Sequence, residues 1–114
     1  MFEDNIELRK ALVNLLNNSE KYIVLGDYSD VMNVTEIIRT KLPDVIILDI
    51  NMPGMNGIDA ISLIKEEKPD TYIIMYTQFE DDEKIFKSLC AGADGYILKK
   101  SSPLKLPEAI EEVC

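Results

Sequence analysis

Apolar residues along the chain fall into two kinds of segment that alternate. Short, nearly continuous and largely β-branched runs stand at Tyr22-Ile23-Val24-Leu25, Val45-Ile46-Ile47-Leu48, Tyr72-Ile73-Ile74-Met75-Tyr76 and Tyr96-Ile97-Leu98. Runs without polar alternation suit strands buried on both faces of a parallel sheet. Between them, apolar residues recur at steps of three and four, the spacing of one helix face. Leu8, Leu12, Leu15 and Leu16 mark a first helix that ends at Asn17-Asn18-Ser19. Val34, Ile37, Ile38 and Leu42 mark a second, opened by Ser29-Asp30 as N-cap and closed before Pro43. Ile58, Ile61 and Ile64 carry a third, which stops before Pro69. Ile85, Phe86 and Leu89 carry a fourth, behind the acidic first turn Asp81-Asp82-Glu83 and ending at Gly92. Leu106, Ala109, Ile110 and Val113 carry the last, which starts nearer Leu106 than Pro103 because Pro107 is tolerated only in a first turn.

Strands alternating with helices require right-handed crossovers and a parallel sheet covered on both faces. The pattern predicts one doubly wound α/β domain over residues 1–114, without repeats or linkers. Such a sheet needs another strand before the first helix, yet only Met1-Phe2 stand ahead of Glu3-Asp4. The chain also stops at Glu111-Glu112-Val113-Cys114, partway through a helix. The expectation is therefore a five-stranded sheet whose first strand is largely missing, in a fragment of a longer product.

Composition narrows the function classes. With 12 basic and 21 acidic side chains the formal charge is −9, which repels nucleic acid and anionic membrane. No apolar run approaches the ~20 residues of a membrane span. Cys90 and Cys114 have no cysteine or histidine at ligand spacing, so they read as free thiols in a reducing cytoplasm.

Ligands of open α/β sheets bind beyond the carboxyl ends of the strands. Glu3 and Asp4 follow the strand remnant, Asp49 ends the Val45–Leu48 run, Thr77 ends the Tyr72–Tyr76 run, and Lys99 ends the last one. Acids crowded in one crevice repel unless a cation offsets them, and carboxylate oxygens with a backbone carbonyl suit Mg²⁺. Lys99 and the Thr77 hydroxyl then complete a clamp for a phosphoryl group arriving on Asp49 as nucleophile.

The run Asp49-Ile50-Asn51-Met52-Pro53-Gly54-Met55-Asn56-Gly57 resembles the phosphoacceptor loop of response regulator receiver domains. Glu3-Asp4-Asn5 resembles that family's metal-holding acidic pair, Thr77 its switch hydroxyl, Tyr96 its switch aromatic and Lys99 its site lysine. The stretch Ala91-Gly92-Ala93-Asp94-Gly95-Tyr96-Ile97-Leu98-Lys99-Lys100-Ser101-Ser102-Pro103 is similar to the NarL/LuxR-type subfamily. The resemblance implies a flavodoxin-like receiver fold, Mg²⁺ on Glu3, Asp4, Asp49 and the Asn51 carbonyl, and a sensor histidine kinase as phosphodonor. It implies a signalling domain, not an enzyme beyond its own phosphorylation and dephosphorylation. Phosphorylation-dependent homodimers, and DNA binding through a helix-turn-helix domain beyond residue 114, are implied too.

Three positions depart from the family pattern. Glu3 stands where aspartate is commoner, Lys100 where many members have proline, and Gln78 follows Thr77 where a small residue is usual, with bulk that shades the site. Rival readings are a degenerate receiver used only for protein contact, an aspartyl-phosphate phosphohydrolase and a flavodoxin-like binding module. Asn51 stands where the phosphohydrolase needs a second acid, and Glu3-Asp4 would repel a flavin phosphate.

Overall fold

Val45–Leu48 (β1), Tyr72–Thr77 (β2) and Gly95–Leu98 (β3) lie parallel in the order β1-β2-β3 in a computed structural model, which describes residues 1–52 and 55–114. Side chains alternate across this sheet as the two-residue strand period requires. Ile46, Leu48, Ile73 and Met75 point into one apolar layer, and Ile47, Ile74 and Tyr76 into the other. The first layer is closed by α2 (Val34–Lys41) and α3 (Gly57–Glu67), through Val34, Ile38, Ala60, Ile61 and Ile64. The second is closed by α1 (Ile6–Asn18) and α5 (Lys105–Val113), through Leu12, Leu16, Leu106 and Ile110. Each buried Leu or Ile contributes roughly 2 kcal/mol, so both faces of the sheet are strongly held. Helix α4 (Asp82–Ala91) packs beside α3.

Local chemistry sets the helix ends. The side-chain oxygens of Asn5, Asn56 and Asp81 accept from the amides of Leu8, Ile58 and Lys84 at the starts of α1, α3 and α4. Gly92 closes α4 at φ 120°, a conformation that a side chain would strain. Pro107 occupies the first turn of α5, as its missing donor demands.

Three expectations need correction. Helix α2 does not open on Ser29-Asp30. Asp30 Oδ1 accepts from Met32 N at 3.0 Å and closes a turn, and the helix begins only at Val34. On α4, two of the apolar residues whose spacing marks the helix face solvent, Phe86 at 68% exposure and Leu89 at 48%, while Ser88 is buried.

The third correction concerns Tyr22–Leu25, which forms no ladder, so the described sheet has three strands rather than five. A run pairs only where a neighbour offers backbone groups, and here that neighbour is Met1–Glu3. Phe2 bridges Tyr28 on one side and Leu48 on the other, both in parallel sense. Tyr28, Phe2, β1, β2 and β3 thus stand side by side at one level. A cleft of about 380 Å³, lined by Val24, Gly26, Val45 and Ile47 among others, lies between the run and β1. Ile23 is consequently 86% exposed.

The buried Ser88 hydroxyl has no hydrogen-bond partner among the described residues. Its desolvation is uncompensated, so Ser88→Ala should hold or raise stability by up to ~1 kcal/mol. A thermal melt checks this, and a clear fall in melting temperature contradicts it.

Candidate functional site

Asp49 follows β1 directly, and the chain then folds back into the core, with Ile50 and Met52 both buried. Gly57 N donates to Ile50 O at 2.8 Å. A Cβ on Gly57 would overlap the Asp49 carbonyl and lie 2.8 Å from Ile50 Cα. Only glycine lets the start of α3 press so closely on the Asp49 backbone. Pro53 and Gly54 of this loop lie outside the described residues.

On the neighbouring position, Glu3 N donates to Tyr28 O at 2.9 Å and Asp49 N donates to Phe2 O at 3.3 Å. These bonds dock the acidic turn beside Asp49. Glu3 is buried at 2% exposure, and its Oε2 accepts from Asn5 N at 3.1 Å. Asp4 beside it is exposed.

Lys99 enters from the end of β3, where its own amide donates to Thr77 O at 2.8 Å. Its ammonium donates to Asp49 Oδ2 at 2.6 Å. The same nitrogen stands 2.8 Å from Glu3 Oε1, an ion contact without hydrogen-bond alignment, so that buried oxygen has no hydrogen bond among the described residues. One ammonium therefore serves two buried carboxylates. Burial alone would depress the Lys99 pKa, but Asp49 and Glu3 more than reverse this and hold it above the ordinary lysine value. Burial pushes the Glu3 carboxyl upward, and Lys99 with the Asn5 amide counters that only in part. The raised Lys99 reflects the two carboxylates around it, and the raised Glu3 reflects its burial.

One carboxylate oxygen from each of Glu3, Asp4 and Asp49 comes within 4.8 Å of the others. Three hard oxygen donors fit a hard divalent cation such as Mg²⁺. Asn51 is exposed, and its amide reaches Asp49 Oδ1 only at 3.4 Å, so that oxygen is the less engaged of the pair.

The structure brings Glu3, Asp49 and Lys99 into contact and places Asp4 within ligand reach. Thr77 is fully buried, its carbonyl holding Lys99 and its hydroxyl accepting from Phe79 N at 3.4 Å. Tyr96 donates its hydroxyl to Phe79 O at 2.6 Å, and its phenol pKa is raised by burial and then by the charges of Asp81 and Asp49. Gln78 is exposed beside Thr77. Sequence reasoning missed Arg9, whose guanidinium donates to Glu3 O at 2.8 Å and to Asp27 Oδ2 at 3.0 Å. Nothing in the spacing separates it from the adjacent Lys10.

A family model for the response regulator receiver domain matches residues 1–111. The chain belongs to that family. Among its relatives is the oxygen regulatory protein NreC of Staphylococcus epidermidis, 38% identical over 112 residues, covering 97% of this chain and 51% of NreC. The nitrate/nitrite response regulator NarL of Escherichia coli is 30% identical, covering 98% of this chain and 52% of NarL. The receiver thus spans about half the length of these curated relatives. A LuxR-family DNA-binding response regulator from Staphylococcus aureus superposes with a TM-score of 0.90 at 32% identity, covering 97% of this chain and 92% of the solved one. These likenesses make the domain a NarL/LuxR-type receiver with a flavodoxin-like fold, a signalling module rather than a conventional enzyme.

The charge imbalance yields a contrast in metal-free buffer. Lys99→Met strands two buried carboxylates and should lower unfolding free energy by about 3 kcal/mol, whereas Asp49→Asn relieves repulsion and should change it by less than ~1 kcal/mol. Denaturant titration separates the two, and equal losses contradict the assignment.

Proposed function

We propose that Asp49 accepts a phosphoryl group from a sensor histidine kinase and that the resulting aspartyl phosphate switches an output, transcription. The observation that carries this reading is the Asp49–Lys99 contact at 2.6 Å beside the unbonded, buried Glu3 Oε1. Glu3, Asp4, Asp49 and the Asn51 backbone carbonyl would hold Mg²⁺, whose charge, when bound, offsets that of the carboxylates and the incoming phosphoryl oxygens.

The protein's own residues account for the remaining steps. Lys99 holds Oδ2 of Asp49, leaving Oδ1 the freer oxygen for attack on phosphorus. As that P–O bond forms, the P–N bond to the donor imidazole breaks and its electron pair stays on nitrogen. Lys99 stabilises charge on the transferred group, and Thr77 turns its hydroxyl from Phe79 N toward a phosphoryl oxygen. Tyr96 then leaves the Phe79 carbonyl and fills the space vacated. Later attack by water on phosphorus releases inorganic phosphate and restores the carboxylate, so the domain catalyses only its own loading and unloading.

The output surface is the face around α4 and β3. Phe86 and Leu89 are already exposed on α4, which supports phosphorylation-dependent pairing of two copies or contact with an effector domain. The names of NreC and NarL as regulators, and the DNA-binding description of the Staphylococcus aureus structure, support a helix-turn-helix effector beyond residue 114. A charge of −9 supports leaving nucleic-acid contact to that effector, and the resemblance to response regulators supports a cytoplasmic setting.

Incubation with Mg²⁺ and a phosphoramidate donor should add the mass of one phosphoryl group to the parent chain. Asp49→Asn, or excess chelator, should abolish the gain. An unmodified parent, or an equal gain on the variant, would overturn the proposal.

A further inference from the structure

We propose that Arg9 is a positioning residue that holds the Glu3-Asp4 turn in the shape a divalent cation needs. This deepens the metal-assisted reading above and rests on it. Glu3 joins the sheet to α1, and nearly all its polar groups are tied down. Its amide donates to Tyr28 O at 2.9 Å, and its Oε2 accepts from Asn5 N at 3.1 Å. Its carbonyl takes Arg9 Nη1 at 2.8 Å. The same guanidinium donates through Nε to Asp27 Oδ2 at 3.0 Å, and the Arg9 side chain is only 14% exposed. One rigid fork thus clamps the backbone of the acidic turn to residue 27, next to Tyr28, the bridging partner of Phe2.

The fork matters because Glu3 and Asp4 must present oxygens within a few ångströms of Asp49 against mutual repulsion. The Glu3 amide is anchored on Tyr28 O, and Arg9 supplies the anchor for the Glu3 carbonyl. The Asn5 carbonyl receives Arg9 N at 2.9 Å, so the first turn of α1 carries the clamp directly behind the segment it clamps. Lysine offers a point charge and cannot span two acceptors in one plane. Outer partners that orient metal ligands typically change affinity by ~10–100-fold when removed.

Charge and position make opposite predictions here. Arg9 is a cation near a cation site, so if it acted only through its charge, Arg9→Met would tighten Mg²⁺ binding and Arg9→Lys would leave it unchanged. If Arg9 positions the turn, both variants weaken it. The test is calorimetric Mg²⁺ titration of the parent, Arg9→Lys and Arg9→Met well below their melting temperatures. Both variants should bind at least tenfold more weakly, and their phosphorylation rate should recover toward the parent's at saturating Mg²⁺. In the metal-free proteins, hydrogen exchange at Asn5 N should be faster in both variants. Folded variants within twofold of the parent's affinity, or tighter binding by Arg9→Met, would overturn the proposal. A parent chain that binds no Mg²⁺ would instead overturn the phosphoacceptor reading itself.

Discussion

One ammonium between two buried carboxylates is the interaction on which the rest of the site turns. Lys99 hydrogen-bonds one oxygen of Asp49 and meets Glu3 only by proximity, so the metal-free pocket is short of positive charge. Burial magnifies this shortage, since removing carboxylates from water is unfavourable unless each finds a partner. The same shortage makes the pocket receptive to a divalent cation and, through it, to a phosphoryl group.

The fold delivers these charges to one place by a simple rule of parallel sheets. Every strand runs the same way, so residues that follow strands share one edge. Phe2, β1, β2 and β3 lead into Glu3, Asp49, the end of β2 at Thr77, and Lys99. Their spacing is inherited from the ladder, and the layers containing Ile46, Ile47, Ile73 and Ile74 hold it rigid. The contacts that remain adjustable lie outside the ladder, at the Phe79 carbonyl with Tyr96 and the Phe79 amide with Thr77. The charge event proposed at Asp49 would therefore push against a stiff frame, with the Thr77 and Tyr96 contacts to Phe79 as the ones it would change.

Much of this was legible in the sequence. The runs at Val45, Tyr72 and Tyr96 are continuous because both faces of the sheet are covered, and Asp49, Thr77 and Lys99 follow directly from their ends. The Glu3-Asp4 pair was legible through its place ahead of the first helix. The failures share a cause, which is dependence on a partner distant in sequence. Tyr22–Leu25 carries the composition of a strand, but a ladder needs a neighbouring backbone, and the bridge that Phe2 makes falls at Tyr28, past the run. Phe86 and Leu89 have helical spacing but no layer to cover them. Asp30 is an Asx residue before a helix, yet its oxygen closes an earlier turn. Arg9 and Asp27 meet through folding alone, 18 residues apart.

Stability as a function of Mg²⁺ concentration tests the central claim most directly. If the rim carboxylates lack a cation, unfolding free energy should climb with Mg²⁺ as for one site, by ~2.7 kcal/mol at a hundredfold excess over the dissociation constant. Glu3→Gln should flatten the climb. A parent chain whose stability is indifferent to Mg²⁺, or a variant that climbs as steeply, would contradict the account.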